Sequence, residues 1–463
     1  MKKILQVLLT VTSFCGLIIT LYLSRNFMPL LSALKIQSTY FNDSFDDLPK
    51  PLIVNFSDSF MIQKQSPGCL QKFDPYIGYY SRFGTNNYYG SVFKNKPRCD
   101  KIIGNDNHNI KHVTDKLKNS GKRSTISDQR LADFSSNCSN FTPYFPVLPF
   151  SKAELEYPIA YILTAHRDAE QVLRLLQAIY VPQNIYCIHA DSKSSLAFHN
   201  VLRNFAKCFD NVFLTKSISV VYASYSRLEA DLLCMNDLLH SKKPWKYVIN
   251  LCGQDFPLKT NREIVTYLKS LHGKNDVETY LAPHLKWRWQ KVYKTINDQL
   301  INTAKDKESL TGIELFKGSA YYALTYEFCR FVFTNPDAIR LRNWLKTTYS
   351  PDENFWATLQ RHRDAPGRYD NTQRNKRYNM KIKLARWGGE SCKGFFLRGV
   401  CVFGTGDLPS LVKEEYMFAN KFILTYDHIT VDCLTSYRYS KMVMDYAESL
   451  DRMVNRRMSG TKL

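Results

Sequence analysis

The 463-residue chain contains no Asp-x-Asp anywhere. A divalent metal that grips a nucleotide-sugar diphosphate is commonly held by such a carboxylate pair, so a diphosphate bound here has to be neutralised by side chains. No Gly-x-Gly-x-x-Gly and no Gly-x4-Gly-Lys-Ser/Thr follows the first predicted strand, which removes the dinucleotide and P-loop fingerprints. Gly-x-Ser-x-Gly is absent too, so nothing points to an acyl-transfer triad. The twelve cysteines form no Cys-x-x-Cys, and there is no His-Glu-x-x-His, which leaves zinc unsupported. Neither a metal nor a cofactor is expected. Acidic residues are in the minority, 42 against 63 Lys and Arg, for a net charge of +21. The basic residues are scattered among acidic ones rather than gathered in arrays, so nucleic acid is not expected as a partner. The excess either draws anionic ligands such as nucleoside diphosphates or is a solvated basic surface.

What is present begins at the N-terminus. Met-Lys-Lys is followed by an uncharged run from Ile4 to Leu23, about the 20 residues that a helix needs to cross a bilayer. It is longer than the apolar core of a cleaved signal peptide and has no clean small-x-small site after it, so a retained membrane anchor over 4–23 is predicted. Lys2 and Lys3 favour a cytosolic tail of residues 1–3, against Arg25 and Lys35 on the far side. Four sequons, at Asn42, Asn55, Asn137 and Asn140, all lie before residue 145. Together with cysteines suited to disulfides, they argue for the lumen of the secretory pathway.

Residues 24–150 are polar and weakly periodic, with 105–128 reading as loop, and form the expected luminal stem. From Ile159 regular alternation sets in: strands at 159–163, 185–189, 212–215 and 247–251, with helices between them near 172–179, 195–209, 228–239 and 262–271. This βαβ order predicts a parallel sheet that binds ligands at the carboxyl ends of its strands, at His166, Asp191 and the loop from Cys252 to Thr260. The alternation weakens beyond residue 275 within one domain over 151–440, and a basic tail, 441–463, follows. The segment Ser350-Pro-Asp-Glu-Asn-Phe-Trp predicts a helix with Ser350 as N-cap, Pro351 in the first turn and the adjacent carboxylates Asp352 and Glu353 behind it. Glu353 is then either a catalytic carboxylate or the far half of a capping box that bonds the Ser350 amide.

The runs Ala178-Ile-Tyr-Val-Pro-Gln-Asn-Ile-Tyr-Cys-Ile-His-Ala-Asp191, Ser226-Arg-Leu-Glu-Ala-Asp-Leu, Tyr247-Val-Ile-Asn-Leu-Cys-Gly-Gln-Asp-Phe-Pro-Leu-Lys259, Gly318-Ser-Ala-Tyr, Tyr349-Ser-Pro-Asp-Glu-Asn-Phe-Trp-Ala-Thr358 and Phe418-Ala-Asn-Lys421 resemble the β-1,6-N-acetylglucosaminyltransferases of the core-2, core-4 and I-branching type, in glycosyltransferase family 14. The likeness runs in order over roughly residues 99–435. It implies an α/β GT-A fold with a Rossmann-like nucleotide-binding half on a single-span type II Golgi anchor. It also implies metal-independent, inverting transfer of GlcNAc from UDP-GlcNAc to a 6-hydroxyl of an O-glycan or poly-lactosamine acceptor.

Carried over residue by residue, the resemblance makes Glu353 the general base, and Arg398 and Lys421 the pair that binds the diphosphate. It puts Asp191 at the uridine, with Thr164, His166 and Tyr222 at neighbouring donor positions. Glu278, Lys286, Arg288 and Trp387 fall at acceptor positions. Gly389 stands where the family has an aromatic residue, which implies a more open acceptor side. The family pattern pairs Cys99 with Cys433, Cys138 with Cys208, Cys187 with Cys234 and Cys392 with Cys401. Cys252 is left as a free thiol, Cys329 is a buried one, and Cys69 in the stem is available to link two chains. Two other readings fit the chain: a non-catalytic luminal glycan-binding protein of the same fold, and a related transferase with another donor such as UDP-xylose.

Overall fold

The computed structural model describes residues 97–120, 125–140, 142, 145, 151–370 and 372–458, with two N-terminal stretches, 5–10 and 18–23. The chain divides into two units, Met1–Asp74 with Val443–Leu463, and Pro75–Met442. In the first, Leu5–Thr10 and Ile18–Leu23 pair as antiparallel strands, where a single helix was expected. A short run rich in Leu, Val, Ile and Thr satisfies the apolar requirement of either element, so hydropathy alone does not separate them. No described helix is long and apolar enough to cross a membrane. Asn42, Asn55 and Cys69 lie outside the described residues.

The second unit is built on strands β1 (Ile159–Ala165), β2 (Ile185–Ala190), β3 (Val212–Leu214) and β4 (Tyr247–Cys252), in the order β3-β2-β1-β4 and all parallel. β1 and β2 are almost wholly buried on both faces, the condition for near-continuous apolar strands in a parallel sheet. Helices α1 (Ala169–Ile179), α2 (Leu196–Lys207), α3 (Tyr225–Leu239) and α4 (Asn261–Ser270) follow the four strands in turn. The side chains of Asp168, Ser195 and Thr260 accept from the first-turn amides of α1, α2 and α4, fixing where each helix starts. A further strand, Tyr322–Thr325, lies antiparallel to β4 and extends the sheet to Asp276–Val277.

A second, three-stranded sheet crosses the carboxyl end of β4. In it β5 (Asp255–Pro257) runs antiparallel to β7 (Phe418–Asn420), and β6 (Lys383–Ala385) runs parallel to β7. Residues expected as loop contain a helix, Asn107–Asn119, capped by Asp106. Ile110, Val113 and Leu117 on its inner side pack with Leu408, Leu411 and Cys433. The Cys99–Cys433 disulfide ties this region to the end of the chain's folded core.

Candidate functional site

Glu353 lies in the first turn of helix α5 (Asp352–Leu359), whose inner face is anchored by the fully buried Phe355 and Trp356. The Trp356 ring packs at a tilt on Tyr322 of the main sheet, with centroids 4.4 Å apart, so the helix start has little freedom. The expected cap is not formed. Pro351, not Ser350, occupies the N-cap position and no side chain caps the helix. Ser350 is drawn into the left-handed region, φ 46°, where its N–H donates to the Ala223 carbonyl at 2.7 Å. Tertiary pairing has overridden the local motif, and the Glu353 carboxylate is released from any capping box. It bonds Arg288 instead, with Lys317 Nζ 3.6 Å away, and its side chain keeps 23% exposure. Its neighbour Asp352 is buried, which pushes that carboxyl up to about 6 against the pull of Arg227, with Glu353 and Asp231 adding to the rise. The adjacent carboxylates have thus been separated into one that faces the cleft and one that faces the core.

Arg288 comes from a one-turn helix, Trp287–Gln290. Its guanidinium lies 5.6 Å from the centre of the Trp287 ring and 5.5 Å from that of Tyr349. Its carbonyl accepts the Tyr349 N–H at 3.0 Å, so Arg288 is fastened to the loop that leads into α5. Glu278 pairs with Arg377 at 2.5 Å. Its backbone is brought beside that of Glu353 by Gly318: the Gly318 N–H donates to the Glu353 carbonyl at 2.8 Å, and a Cβ at Gly318 would lie 1.8 Å from the Glu278 carbonyl oxygen. Only glycine fits there. Lys286 is placed differently: it is exposed, has no contact with Glu353 among the described residues, and lines a cavity of about 1090 Å³ together with Trp289 and Lys307.

Of the residues expected at the donor, Thr164, His166 and Asp191 lie at the carboxyl ends of β1 and β2. Asp191 is buried and spends one carboxylate oxygen on the Lys193 N–H, at 2.9 Å, and the other on the Val220 N–H, at 3.3 Å. It thereby joins two loops at the strand end. Thr164 Oγ1 donates to the Leu251 carbonyl at 3.4 Å, across to β4. The His166 carbonyl accepts from Ser194, and partial burial followed by the nearby Arg167 charge lowers the proton affinity of its imidazole.

Arg398 sits at the tip of a hairpin formed by β-strands Phe395–Leu397 and Val400–Val402. Both residues of its two-residue turn have positive φ, 54° at Arg398 and 78° at Gly399, the twist that a tight hairpin favours. A non-glycine residue held there costs about 1–2 kcal/mol, a strain that tends to be kept where a side chain must be aimed. The Arg398 guanidinium lies 5.3 Å from the centre of the Tyr222 ring, which is 70% exposed. Lys421 follows directly on β7. Burial lowers the proton affinity of its ammonium, Cys252 opposes this, and Arg398 and Arg167 add to the lowering. Three cations that feel one another in a half-buried cleft make a receptor for a polyanion. Arg167 was not among the residues expected from sequence; its position next to His166 was the available signal.

Trp387 is 55% exposed and lies against the same hairpin: it bridges to Val400, and a Cβ on Gly399 would be 3.9 Å from its ring. The Trp387 backbone N–H donates to the Glu390 carboxylate at 2.5 Å, closing a short turn through Gly388 and Gly389. Gly389 has φ 98° and nothing within 4 Å of where a Cβ would stand, so this side of Trp387 is open.

Three expected disulfides are bonded: Cys99–Cys433, Cys138–Cys208 and Cys392–Cys401, the last fastening the Trp387 turn to its hairpin. The fourth expected pair, Cys187 on β2 and Cys234 on α3, is brought face to face with sulfurs 2.6 Å apart, well inside the separation of two unbonded sulfurs, although the bond itself is not closed in this structure. Cys252 and Cys329 are free. Of the sequons in the described residues, Asn137 is exposed, whereas the Asn140 amide donates to the Phe134 carbonyl at 3.0 Å.

Residues 159–412 match the family described as Branch: Core-2/I-Branching enzyme. The human protein named β-1,3-galactosyl-O-glycosyl-glycoprotein β-1,6-N-acetylglucosaminyltransferase is 40% identical over 363 residues, 73% of this chain and 84% of the relative. The human protein of that name numbered 3 is 37% identical over 376 residues, 77% of this chain and 86% of its own length. Among solved structures, 4-diphosphocytidyl-2C-methyl-D-erythritol synthase from Anaerococcus prevotii overlaps 40% of this chain and 80% of its own, at 12% identity and a TM-score of 0.22. With a family match that spans the parallel sheet, the Glu353 helix and the Arg398 hairpin, the chain belongs to the Core-2/I-Branching enzyme family.

Proposed function

We propose that the protein transfers GlcNAc from UDP-GlcNAc to a 6-hydroxyl of a Gal or GalNAc residue, forming β-1,6 branches on O-glycans or poly-lactosamine. The observation that carries this reading is the position of Glu353: excused from helix capping, it is turned into the cleft against Arg288. In the proposed reaction the Glu353 carboxylate takes the proton of the acceptor hydroxyl as that oxygen attacks the anomeric carbon from the face opposite the leaving group, so configuration inverts. Arg288, already on Glu353, holds the carboxylate in the cleft and can also reach acceptor hydroxyls. Glu278 is placed across Gly318 for the same sugar, and Trp387 offers its exposed face for ring stacking.

On the leaving side, Arg398 and Lys421 stabilise the UDP diphosphate as charge develops on it, the electrostatic task a metal performs elsewhere. Arg167 is assigned to the same anion. Asp191 shapes the uridine pocket, with Thr164 and His166 at its wall and Tyr222 presenting a ring beneath the Arg398 guanidinium. The absence of Asp-x-Asp supports a metal-independent reaction. The apolar N-terminal run, the sequons and the bonded cysteines support a type II Golgi membrane protein with its transferase domain in the lumen.

The test is to incubate the purified protein with UDP-GlcNAc and, in parallel, core-1, core-3 and lactosamine acceptors in excess EDTA, and to determine the linkage of the product. A β-1,6-linked GlcNAc formed in EDTA is expected. Transfer from UDP-xylose only, or a strict need for Mn²⁺, would contradict the proposal.

A further inference from the structure

Behind Lys421 lies a polar hub that the reaction as described does not use. Lys383, on β6, is fully buried; its ammonium bonds the equally buried Asp255 carboxylate, donates to the Asn250 carbonyl at 3.1 Å and lies 3.5 Å from the centre of the Tyr321 ring. The Asp255 carboxylate also accepts from the Cys252 N–H at 2.7 Å, the Cys252 thiol at 3.3 Å and the Asn420 amide at 2.8 Å. Asn420 ends β7 and directly precedes Lys421, and the register sets it opposite Asp255 on one side and Ala385 on the other. One carboxylate therefore fixes both the end of β4 and the end of β7, and the buried Lys383 ammonium is paired with it.

A fully buried ion pair contributes little that apolar residues of the same volume would not. This one is used by groups from two sheets, at the point where the chain delivers Lys421 to the cleft. We infer that Lys383 is a positioning residue for the diphosphate site: through Asp255 and Asn420 it sets the direction in which Lys421 is presented to the donor. The inference rests on the assignment of Lys421 to the diphosphate. Cys252 reports on the hub, since its thiol is pushed up to about 11 by burial first and Asp255 second, with Lys383 opposing.

Four variants of the full chain test this: Lys383→Met, Lys383→Arg, Asp255→Asn and the Lys383→Met/Asp255→Asn pair, which leaves no buried unpaired charge and so serves where Lys383→Met alone fails to fold. UDP binding is measured by calorimetry, KM for donor and acceptor by steady-state kinetics, and Cys252 alkylation as a function of pH. UDP affinity is expected to fall about tenfold in Lys383→Met and in the pair, the scale of one charge-assisted hydrogen bond. Acceptor KM should hold, and Lys383→Arg should recover part of the loss. Alkylation should slow in Lys383→Met and quicken in Asp255→Asn; a merely structural role would loosen packing and quicken both. A folded double variant with wild-type UDP affinity would overturn the inference while leaving Lys421 in place, whereas unchanged UDP binding in Lys421→Ala would overturn the assignment beneath it.

Discussion

Arg288 donates to the carboxylate of Glu353, and the same guanidinium lies beside the rings of Trp287 and Tyr349, which pack on each other at 5.1 Å, Tyr349 lying just upstream of the Glu353 helix. Glu353 is thus oriented by a cation that packs against an aromatic pair, in an arrangement that spans 65 residues of sequence. Replacing Arg288 with Ala should leave Glu353 with only the more distant Lys317 and lower kcat about 10- to 100-fold, the range for loss of an oriented charged hydrogen bond. UDP affinity should stay within about twofold of wild type, because that side chain is assigned no role at the diphosphate. An equal loss in UDP binding would instead place Arg288 on the donor side.

Arg398 offers a test in which stability and function move in opposite directions. Its φ of 54° suits glycine, so Arg398→Gly should relieve strain and raise stability by up to about 1 kcal/mol, while UDP binding weakens about 10-fold or more. Thermal melting and UDP titration on the same preparation check both parts. A variant that melts lower and binds UDP normally would refute the placement of this side chain.

The buried Asp352 makes a prediction about pH. Its folded-state carboxyl is raised to about 6 from an ordinary value near 4, so the folded state binds the proton more tightly than the unfolded state. Its favourable contribution is therefore complete below about pH 4 and is lost as pH rises through about 6. Asp352→Asn should remove this slope and raise stability at pH 7 by about 1–3 kcal/mol. Chemical denaturation between pH 4 and 7 measures it; a wild-type slope retained by the variant would assign the titration to another group.

The resemblance in sequence puts Gly389 in place of an aromatic residue, and its φ of 98° would strain any side chain returned there. Gly389→Tyr should lower stability by about 1–2 kcal/mol and should not restore an acceptor contact, even though there is open space around the position. Trp387→Ala should raise acceptor KM several-fold, a stacked aromatic contributing about 0.5–1.5 kcal/mol. Acceptor kinetics on both variants, with melting curves, decide the matter.

The parallel half of the fold was legible because β1, β2 and β4 are buried on both faces and leave apolar runs between amphipathic helices, a pattern carried by the order of residues along the chain. The helix Asn107–Asn119 was hidden by its many Asn, Lys and His residues, although Ile110, Val113 and Leu117 kept helical spacing and Asp106 supplied the cap. At the site, the residue types were readable and their partners were not. Ser350 obeys a local capping rule in sequence but pairs with Ala223 in the fold, and Arg288 meets Glu353 only because Tyr349 fastens two distant segments. Lys383 carried no signal, since a lone lysine in a short strand ordinarily reads as a solvated charge. The meeting of Cys187 with Cys234 was implied by the resemblance alone, since nothing in the local sequence of either residue names its partner.

The claim on which the rest depends is that Glu353 is the general base, and the most direct measurement is turnover of purified Glu353→Gln with UDP-GlcNAc and an O-glycan acceptor, with UDP binding and melting recorded on the same sample. The account predicts a kcat lower by about 10²–10⁴-fold, the usual contribution of a positioned base, with UDP affinity and melting close to wild type. A folded Glu353→Gln protein that transfers GlcNAc at the wild-type rate would contradict it.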